Sequence, residues 1–384
     1  MRAPDLQPGT PFLSMIGLEP LTGHHKQKCC MVLLKFAFLM QDLCMIDPAD
    51  FALVNAIQIS PRASWAELAP ILRVDASTLS RRWRRLVSAR LVWTSCTYAE
   101  PEPRREAPRR TRMAIVEVAC KPGQRESAIA ALGEIGAVSS VHCTSGSRDL
   151  YLTVAAPTLR ELDRLVDGIG DHVPGITGTR THHLRRIFQE GSSWRLGALR
   201  REEADAVALT RPSVSSRVEP SSLHFQLLDA LGEDARLPVS DLQTRLGRSS
   251  VTVARAVNEM LSADWARWRV DFAHEEGGWD ASAMLWISVD QTELEKVAAA
   301  LCMTPQVRLC ASIAGQANLT ASLWLRDIAE LDEIEAKLTR VFRRLRIVDR
   351  WITPRVAKRV GHVLDADGRW MRFVRPEVTV ATWS

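Results

Sequence analysis

A block of this chain recurs farther along without a gap, and that register limits what the chain can fold into. Asp50, Leu53 and Ile57 fall on His224, Leu227 and Leu231, each pair 174 positions apart. The same offset carries Arg62 to Arg236, Leu68 to Leu242, Leu72 to Leu246, Thr78 to Thr252, Leu79 to Val253 and Arg81 to Arg255, and it closes at Ala89 and Ala263. One helical unit is therefore used twice. A second offset, 169 positions, lays Gly146, Asp149, Leu150, Glu161, Leu162 and Asp163 on Gly315, Asn318, Leu319, Glu330, Leu331 and Asp332. The repeat is thus a pair of units: a helical one and one that follows it.

The spacing of apolar residues tells the two units apart. Phe51, Val54 and Ile57 mark a first amphipathic helix. Ser64 is a good N-cap for a second over Trp65 to Leu72, and Asp75 for a third over Ala76 to Ala89. A strand-like stretch from Leu91 to Tyr98 then predicts a hairpin, which gives the winged helix-turn-helix plan over residues 47–98. Ala99 to Arg112 is rich in proline and charge and reads as a linker. Residues 113–190 then alternate as β-α-β-β-α-β, the ferredoxin-like arrangement. Residues 191–220 form a second linker, with a short helix around Glu202 to Leu209. The order repeats as a winged helical unit over 221–275 and a ferredoxin-like unit over 281–356, leaving a tail over 357–384. Residues 1–46 read as a poorly ordered extension. The expected class is α+β, with tandem winged helix-turn-helix domains each followed by a ferredoxin-like βαββαβ domain.

Composition narrows the partners. Hydrophobic residues make up 46% and charged residues 25%, enough for real cores. Met31 to Met40 is the longest apolar run and is about half of what a membrane span needs. The eight cysteines form no Cys-x-x-Cys and sit beside no histidines at zinc spacing, so they read as reduced thiols of a cytoplasmic protein. No phosphate-binding glycine loop, nucleophile elbow or metal-ligand cluster occurs, so no cofactor and no catalytic residues are expected.

The third helix of the first copy carries the chemistry. Leu79, Trp83 and Leu86 line its inner face. The opposite face holds Ser77, Arg81, Arg84 and Ser88, flanked by Ser80 and Arg85. Guanidinium groups and hydroxyls together suit the edges and phosphates of a DNA major groove. Ser77, Thr78, Ser80, Arg81, Arg82, Arg84 and Arg85 are therefore expected to contact double-stranded DNA. The second copy offers Thr252, Arg255 and Asn258, but Glu259 replaces Arg85. Residues 47–93 carry seven arginines against four acids, whereas residues 222–270 carry six against six. The second unit should bind DNA more weakly or mainly complete the architecture.

The stretch Leu72-x-Val74-x-x-Ser77-Thr78-Leu79-Ser80-Arg81-Arg82-x-x-x-Leu86 resembles the helix-turn-helix of the Lrp/AsnC (feast/famine) transcriptional regulators. The Gly146-x-x-Asp149-Leu150 turn resembles that family's effector-domain motif, and the doubled order resembles the two-copy regulators of actinobacteria. The resemblance implies a homo-oligomeric transcriptional regulator whose effector, an amino acid or another small metabolite, binds at Gly146, Ser147, Arg148 and Asp149 and at Gly315, Gln316 and Asn318. It also implies that one chain forms an internal pseudo-dimer. An enzymatic alternative exists on the same paired fold, the sirohaem decarboxylases. Its candidate residues here are His182, His183 and Arg308; a plain pair of strand-end histidines on opposite sheet faces is the other reading of His182-His183.

Overall fold

The computed structural model describes residues 46–99, 111–215 and 218–377. The expected N-terminal extension, apart from Ile46, and most of the first linker lie outside these residues. The first helical unit comprises α1 (Pro48–Ile59), α2 (Trp65–Leu72) and α3 (Ala76–Ser88). Ser64 caps α2 as expected, in a reciprocal box with Glu67. Asp75 occupies the N-cap position of α3 but makes no side-chain cap bond. Between α2 and α3, Arg73 holds a left-handed backbone at φ 54°, and its counterpart Gly247 sits at φ 61°.

The hairpin wing is not present among the described residues. β1 (Val92–Tyr98) is a single strand, and its partner is β6 (Ala266–Phe272), the equivalent strand of the second copy. They pair antiparallel from Val92↔Phe272 to Tyr98↔Ala266, centred on Ser95↔Arg269, which are themselves 174 positions apart. The strand finds its hydrogen bonds across the repeat, so no second wing strand is needed. A linker helix α6 (Arg201–Ala208) packs against α1 and α2, and the second helical unit follows as α7 (Ser222–Glu233), α8 (Val239–Leu246) and α9 (Ser250–Ser262).

An arginine clasp closes the joint between the two helical units. Arg62 donates to the carbonyls of Ala235 (2.6 Å) and Leu237 (2.8 Å), and Arg236 donates to those of Pro61 (2.6 Å) and Ala63 (3.1 Å). Each donor and each acceptor maps onto its counterpart by the same offset, so the clasp is isologous. Arg236 also stacks over Trp65, 4.4 Å from the ring centroid.

The first ferredoxin-like unit runs β2 (Arg112–Cys120), α4 (Arg125–Glu134), β3 (Val138–Cys143), β4 (Leu150–Ala156), α5 (Leu159–His172) and β5 (Ile176–Gln189), in sheet order β5-β2-β4-β3. The second runs β7 (Ala281–Ser288), α10 (Leu294–Cys302), β8 (Val307–Ile313), β9 (Leu319–Leu325), α11 (Glu330–Val341) and β10 (Arg346–Thr353), in order β10-β7-β9-β8. The fold is mixed α+β with antiparallel sheets. Each sheet buries its helix-facing side in its own core. The other faces meet through Ile115, Tyr151, Met284, Trp286, Ile313 and Trp351.

The described part of the tail, residues 357–377, is structured. β11 (Arg355–Arg359) continues from β10 and pairs with β3, as the far half of β5 pairs with β8. β12 (His362–Leu364) and β13 (Trp370–Phe373) extend that edge. Ser145 N donates to Ile352 O (2.9 Å), and its counterpart Ala314 N donates to His183 O (3.1 Å), so the second pseudo-twofold is closed on both sides.

A buried ionic junction ties the second helical unit to the sheets. Asp271 on β6 is 1% exposed and is paired with Arg269, with Arg308 at 2.9 Å and with Arg359 at 3.8 Å. The Arg308 guanidinium lies 3.5 Å from the Trp324 ring centroid, and His274 stacks on the same indole. Thr97 is the counterpart of Asp271 in the first copy.

Candidate functional site

Two places gather the polar residues of interest. The first is the outer face of α3. Ser77, Arg81, Arg84, Arg85 and Ser88 are exposed there, and Thr78 and Ser80 are half-buried. Among the described residues Arg81 makes no hydrogen bond or ion pair, and Arg84 only folds back on the Ser80 carbonyl at 3.4 Å. Arg82 and Arg85 turn inward instead. Arg82 Nη1 donates to Asp47 (2.7 Å) and Asp50 (3.0 Å), and Arg85 pairs with the buried carboxylate of Asp50. A carboxylate with no exposure needs such partners, so these two arginines are committed to holding α3 on α1.

The corresponding face of α9 exposes Val251, Thr252, Arg255 and Asn258. Arg255 Nε donates to Glu259 at 2.8 Å, and the Thr252 hydroxyl lies 2.8 Å from the capping Ser249 hydroxyl. Glu259 also meets His224 Nε2 at 3.2 Å. His224 and Glu259 are the counterparts of Asp50 and Arg85, so the interhelix contact persists with the carboxylate moved to the third helix and an imidazole in place of the guanidinium.

The second place is a cleft of about 430 Å³ between the two sheets, within the usual range for small-ligand sites. Glu117 on β2, the turn residue Arg148, Arg180 and His182 on β5, Trp286 on β7, the turn residues Gly315 to Ala317, and Asp349 and Trp351 on β10 line it. Arg148 Nε donates to Glu117 Oε2 (2.7 Å), and its Nη2 donates to Asp349 Oδ2 (3.0 Å). His182 Nε2 lies 2.7 Å from Glu117 Oε1, and Trp351 Nε1 donates to Asp349 Oδ2 (2.9 Å). The Arg148 guanidinium stacks 4.3 Å above Trp351. Burial opposes ionisation of both carboxylates. The hydrogen bonds from His182 and Arg148 on Glu117, and from Trp351, the Arg350 backbone and Arg148 on Asp349, outweigh it and hold both acids below their ordinary range.

Of the turn residues, Arg148, Gly315 and Gln316 reach this cleft, and Ser147 touches it indirectly by accepting from Arg148 Nη2 at 3.1 Å. Gly146, at φ 93°, makes the turn itself, in a conformation that favours glycine. Asp149 and Asn318 do something else. Asp149 Oδ2 accepts from the Cys120 backbone N–H (2.7 Å), and Asn318 Oδ1 accepts from that of Val289 (3.0 Å). Asn318 Nδ2 also donates to Val289 O (2.7 Å). Both side chains fasten the turn to the neighbouring first strand, and neither lines the cleft.

His182-His183 lies in the middle of β5, which runs on to Gln189, and not at a strand end. His182 faces the cleft, while His183 Nδ1 is buried elsewhere without a partner. Arg308 belongs to the Asp271 junction and does not line the cleft. Glu117, Trp286 and Asp349 carried no motif in the sequence. The 169-position offset was the available signal, since it sets Glu117 opposite Trp286 and His182 opposite Trp351. Among the described residues no group of side chains has metal-site geometry, and no helix is long and apolar enough to cross a membrane.

Comparison with known proteins agrees with this architecture. Residues 113–193 and 282–347 match the Lrp/AsnC ligand binding domain. An uncharacterised HTH-type transcriptional regulator of Pyrococcus furiosus is 26% identical over 149 residues, covering 38% of this chain and 97% of the relative. One of Pyrococcus horikoshii is 23% identical over 147 residues, covering 38% and 90%. Among solved structures, the siroheme decarboxylase NirDL aligns over 86% of this chain and 96% of its own, with a TM-score of 0.53 and 13% identity, which is a likeness of fold. Its co-complex with an iron-uroporphyrin III analogue aligns over 82% of this chain and 90% of its own, with a TM-score of 0.50 and 12% identity. Two segments of the chain, one in each ferredoxin-like unit, are thus similar to the Lrp/AsnC ligand binding domain.

Proposed function

We propose that this chain is a sequence-specific DNA-binding transcriptional regulator of the Lrp/AsnC type, with tandem helix-turn-helix units and a small-molecule site between its sheets. The observation that carries the reading is the outer face of α3, where Arg81 and Arg84 stand exposed beside Ser77 and Ser88 with no acid paired to either arginine. Such a face offers forked donors to guanine and phosphate. Arg81, Arg84 and Ser77 are the reading residues, while Arg82 and Arg85 position the helix. The relatives' names, HTH-type transcriptional regulators, support the same reading. Because the two copies already pair within one chain, two chains would supply four reading heads. A mobility-shift assay on the DNA upstream of the chain's own gene tests the proposal. A salt-sensitive shift that survives unrelated competitor DNA is expected, and no shift at low salt sinks it. Light scattering at micromolar concentration tests assembly, and a strict monomer would remove the four-headed arrangement.

The alignment of NirDL along most of both chains favours one second reading, a tetrapyrrole decarboxylase. The cleft does hold His182 beside Arg148 and Arg180. A titration of an iron-loaded uroporphyrin III followed in the visible region separates the two. A saturable spectral shift lost in His182→Ala would favour the enzyme.

A further inference from the structure

Two cysteines of the second ferredoxin-like unit touch one another. Cys302 is the last residue of α10 and is half-buried, and Cys310 lies on β8 with no exposure. Both pack in the core of that unit. Cys310 Sγ sits 4.0 Å from the carbonyl oxygen of Ala298, one helical turn before Cys302, so the strand thiol faces the side of α10 that Cys302 occupies. The two thiols share a hydrogen bond. Their counterparts under the 169-position offset are Gly133 and Val141, so the pair exists in one copy alone.

Contact and exposure together set this pair apart among the described cysteines. Cys120 and Cys143 share a core, but β4 lies between their strands. Two strand spacings are roughly 10 Å, beyond the ~7 Å between Cα atoms that a disulfide tolerates. Cys96 is buried, and burial pushes its thiol up. At the pair, the Cys310 S–H favours a thiolate at Cys302 and lowers that thiol to about 7 against its partial burial. The same bond and burial push the Cys310 thiol up. A half-exposed thiolate beside a second sulfur is the arrangement that a two-electron oxidant attacks first.

We infer that Cys302 and Cys310 are one redox site per chain, which a hydroperoxide closes to an intramolecular disulfide. The Cys302 sulfur attacks the terminal oxygen, the O–O bond breaks, and the alkoxide or hydroxide leaves as alcohol or water with the proton of the Cys302 thiol. The sulfenic acid so formed no longer carries the charge that held the Cys310 proton. The Cys310 sulfur then attacks the Cys302 sulfur, and its proton leaves with the sulfenic hydroxyl as water. Two thiols and one hydroperoxide thus give one disulfide, one alcohol or water, and one further water. Each sulfur gives up one electron, and the peroxide bond takes both. The closed bond ties the end of α10 to the strand that pairs with β5 at Gln189, beside the joint between the two sheets.

Peptide mapping of the full chain tests it, because trypsin cuts between the two cysteines at Arg308. The reduced chain is treated with hydrogen peroxide at neutral pH, the remaining thiols are alkylated in denaturant, and the digest is run without reduction. A peptide pair joined through Cys302 and Cys310, and released by dithiothreitol, is expected. Cys302 should be lost about tenfold or more faster than Cys120, whose thiol burial pushes up to about 11. Cys302→Ser, at a half-buried position, should abolish the joined pair and leave Cys310 as a thiol. Cys310→Val, which borrows the residue of the first copy, should leave Cys302 as a sulfenic acid that dimedone captures. No joined pair, joining of Cys302 to another cysteine as readily as to Cys310, loss of Cys120 as fast as Cys302, or oxidation of Cys310 undiminished in Cys302→Ser would each overturn the inference. The mapping of the unaltered chain decides the matter even where the core variant fails to fold.

Discussion

The two helical units share a plan and differ in what they spend their charges on. In the first, Asp50 absorbs Arg82 and Arg85, and Arg81 and Arg84 are left facing outward. In the second, Glu259 absorbs Arg255, and Val251 is 77% exposed on the outer face. The second unit is also fixed to the sheets through Asp271, where the first has Thr97. One copy keeps exposed cationic chemistry, and the other keeps the anchor. Duplication permits this division, because a residue altered in one copy is no longer altered in both.

The largest expected effect tests the anchor. Asp271→Ala leaves Arg308 and Arg359 buried without a paired carboxylate and Arg269 with Glu190 alone, at 3.5 Å, and should cost about 3–5 kcal/mol in chemical denaturation. Thr97→Ala should change stability by less than about 1 kcal/mol. Equal losses would show that the two strands are anchored alike.

DNA affinity tests the other side. Arg81→Ala or Arg84→Ala should each weaken operator binding by about 1–3 kcal/mol, read by mobility shift at fixed salt. Arg255→Ala should fall well below that, since its guanidinium is already engaged by Glu259. Arg255 mattering as much as Arg81 would make the heads equivalent.

Acid sensitivity separates the copies next. Burial pushes the imidazoles of His224, His274 and His362 below the ordinary value of 6.5, and that of His142 down to about 3. The unfolded chain then takes up protons first. The stability these neutral rings contribute is complete above about pH 6.5 and falls as pH drops through the depressed folded values. The first copy has Asp50 where the second has His224. Melting temperature followed from pH 7.5 to 5 should decline, and His224→Gln should decline less. An unchanged slope in that variant would place the sensitivity at the other histidines.

The smallest effect concerns the turns. Arg73 bears a left-handed backbone that Gly247 adopts freely, so Arg73→Gly should raise stability by up to about 1 kcal/mol, whereas Gly247→Ala should lower it. A loss in Arg73→Gly would mean that its side chain holds more than the turn costs.

Much of this was legible in the sequence because it rests on local periodicity. The bounds of α2 and β3 follow from capping at Ser64 and from the apolar residues Val138, Val141 and Cys143 spaced along a short segment. The rest depends on contacts that no short window contains. A hairpin was expected after α3 because a lone strand must find a partner, but the partner is 174 positions away. β11 was not foreseen because Arg-Val-Ala-Lys-Arg does not read as a buried strand. Lys358 is fully buried there, with its ammonium donating to Ile135 O at 2.8 Å. Asp149 and Asn318 matched the expected motif and proved to be backbone fasteners, while the cleft residues Glu117 and His182 lie 65 positions apart.

The arginine clasp and the β1–β6 ribbon carry a consequence for handling the protein. Each is a joint between two surfaces that complement one another and belong to the same chain. Such a joint can also close between separate molecules, the first copy of one with the second copy of another, using the same bonds. Tethering favours the internal closure at millimolar effective concentration. Concentrated or partly unfolded samples lose that advantage, and because each exchanged joint leaves two more open, the products are exchanged dimers and then chains of molecules.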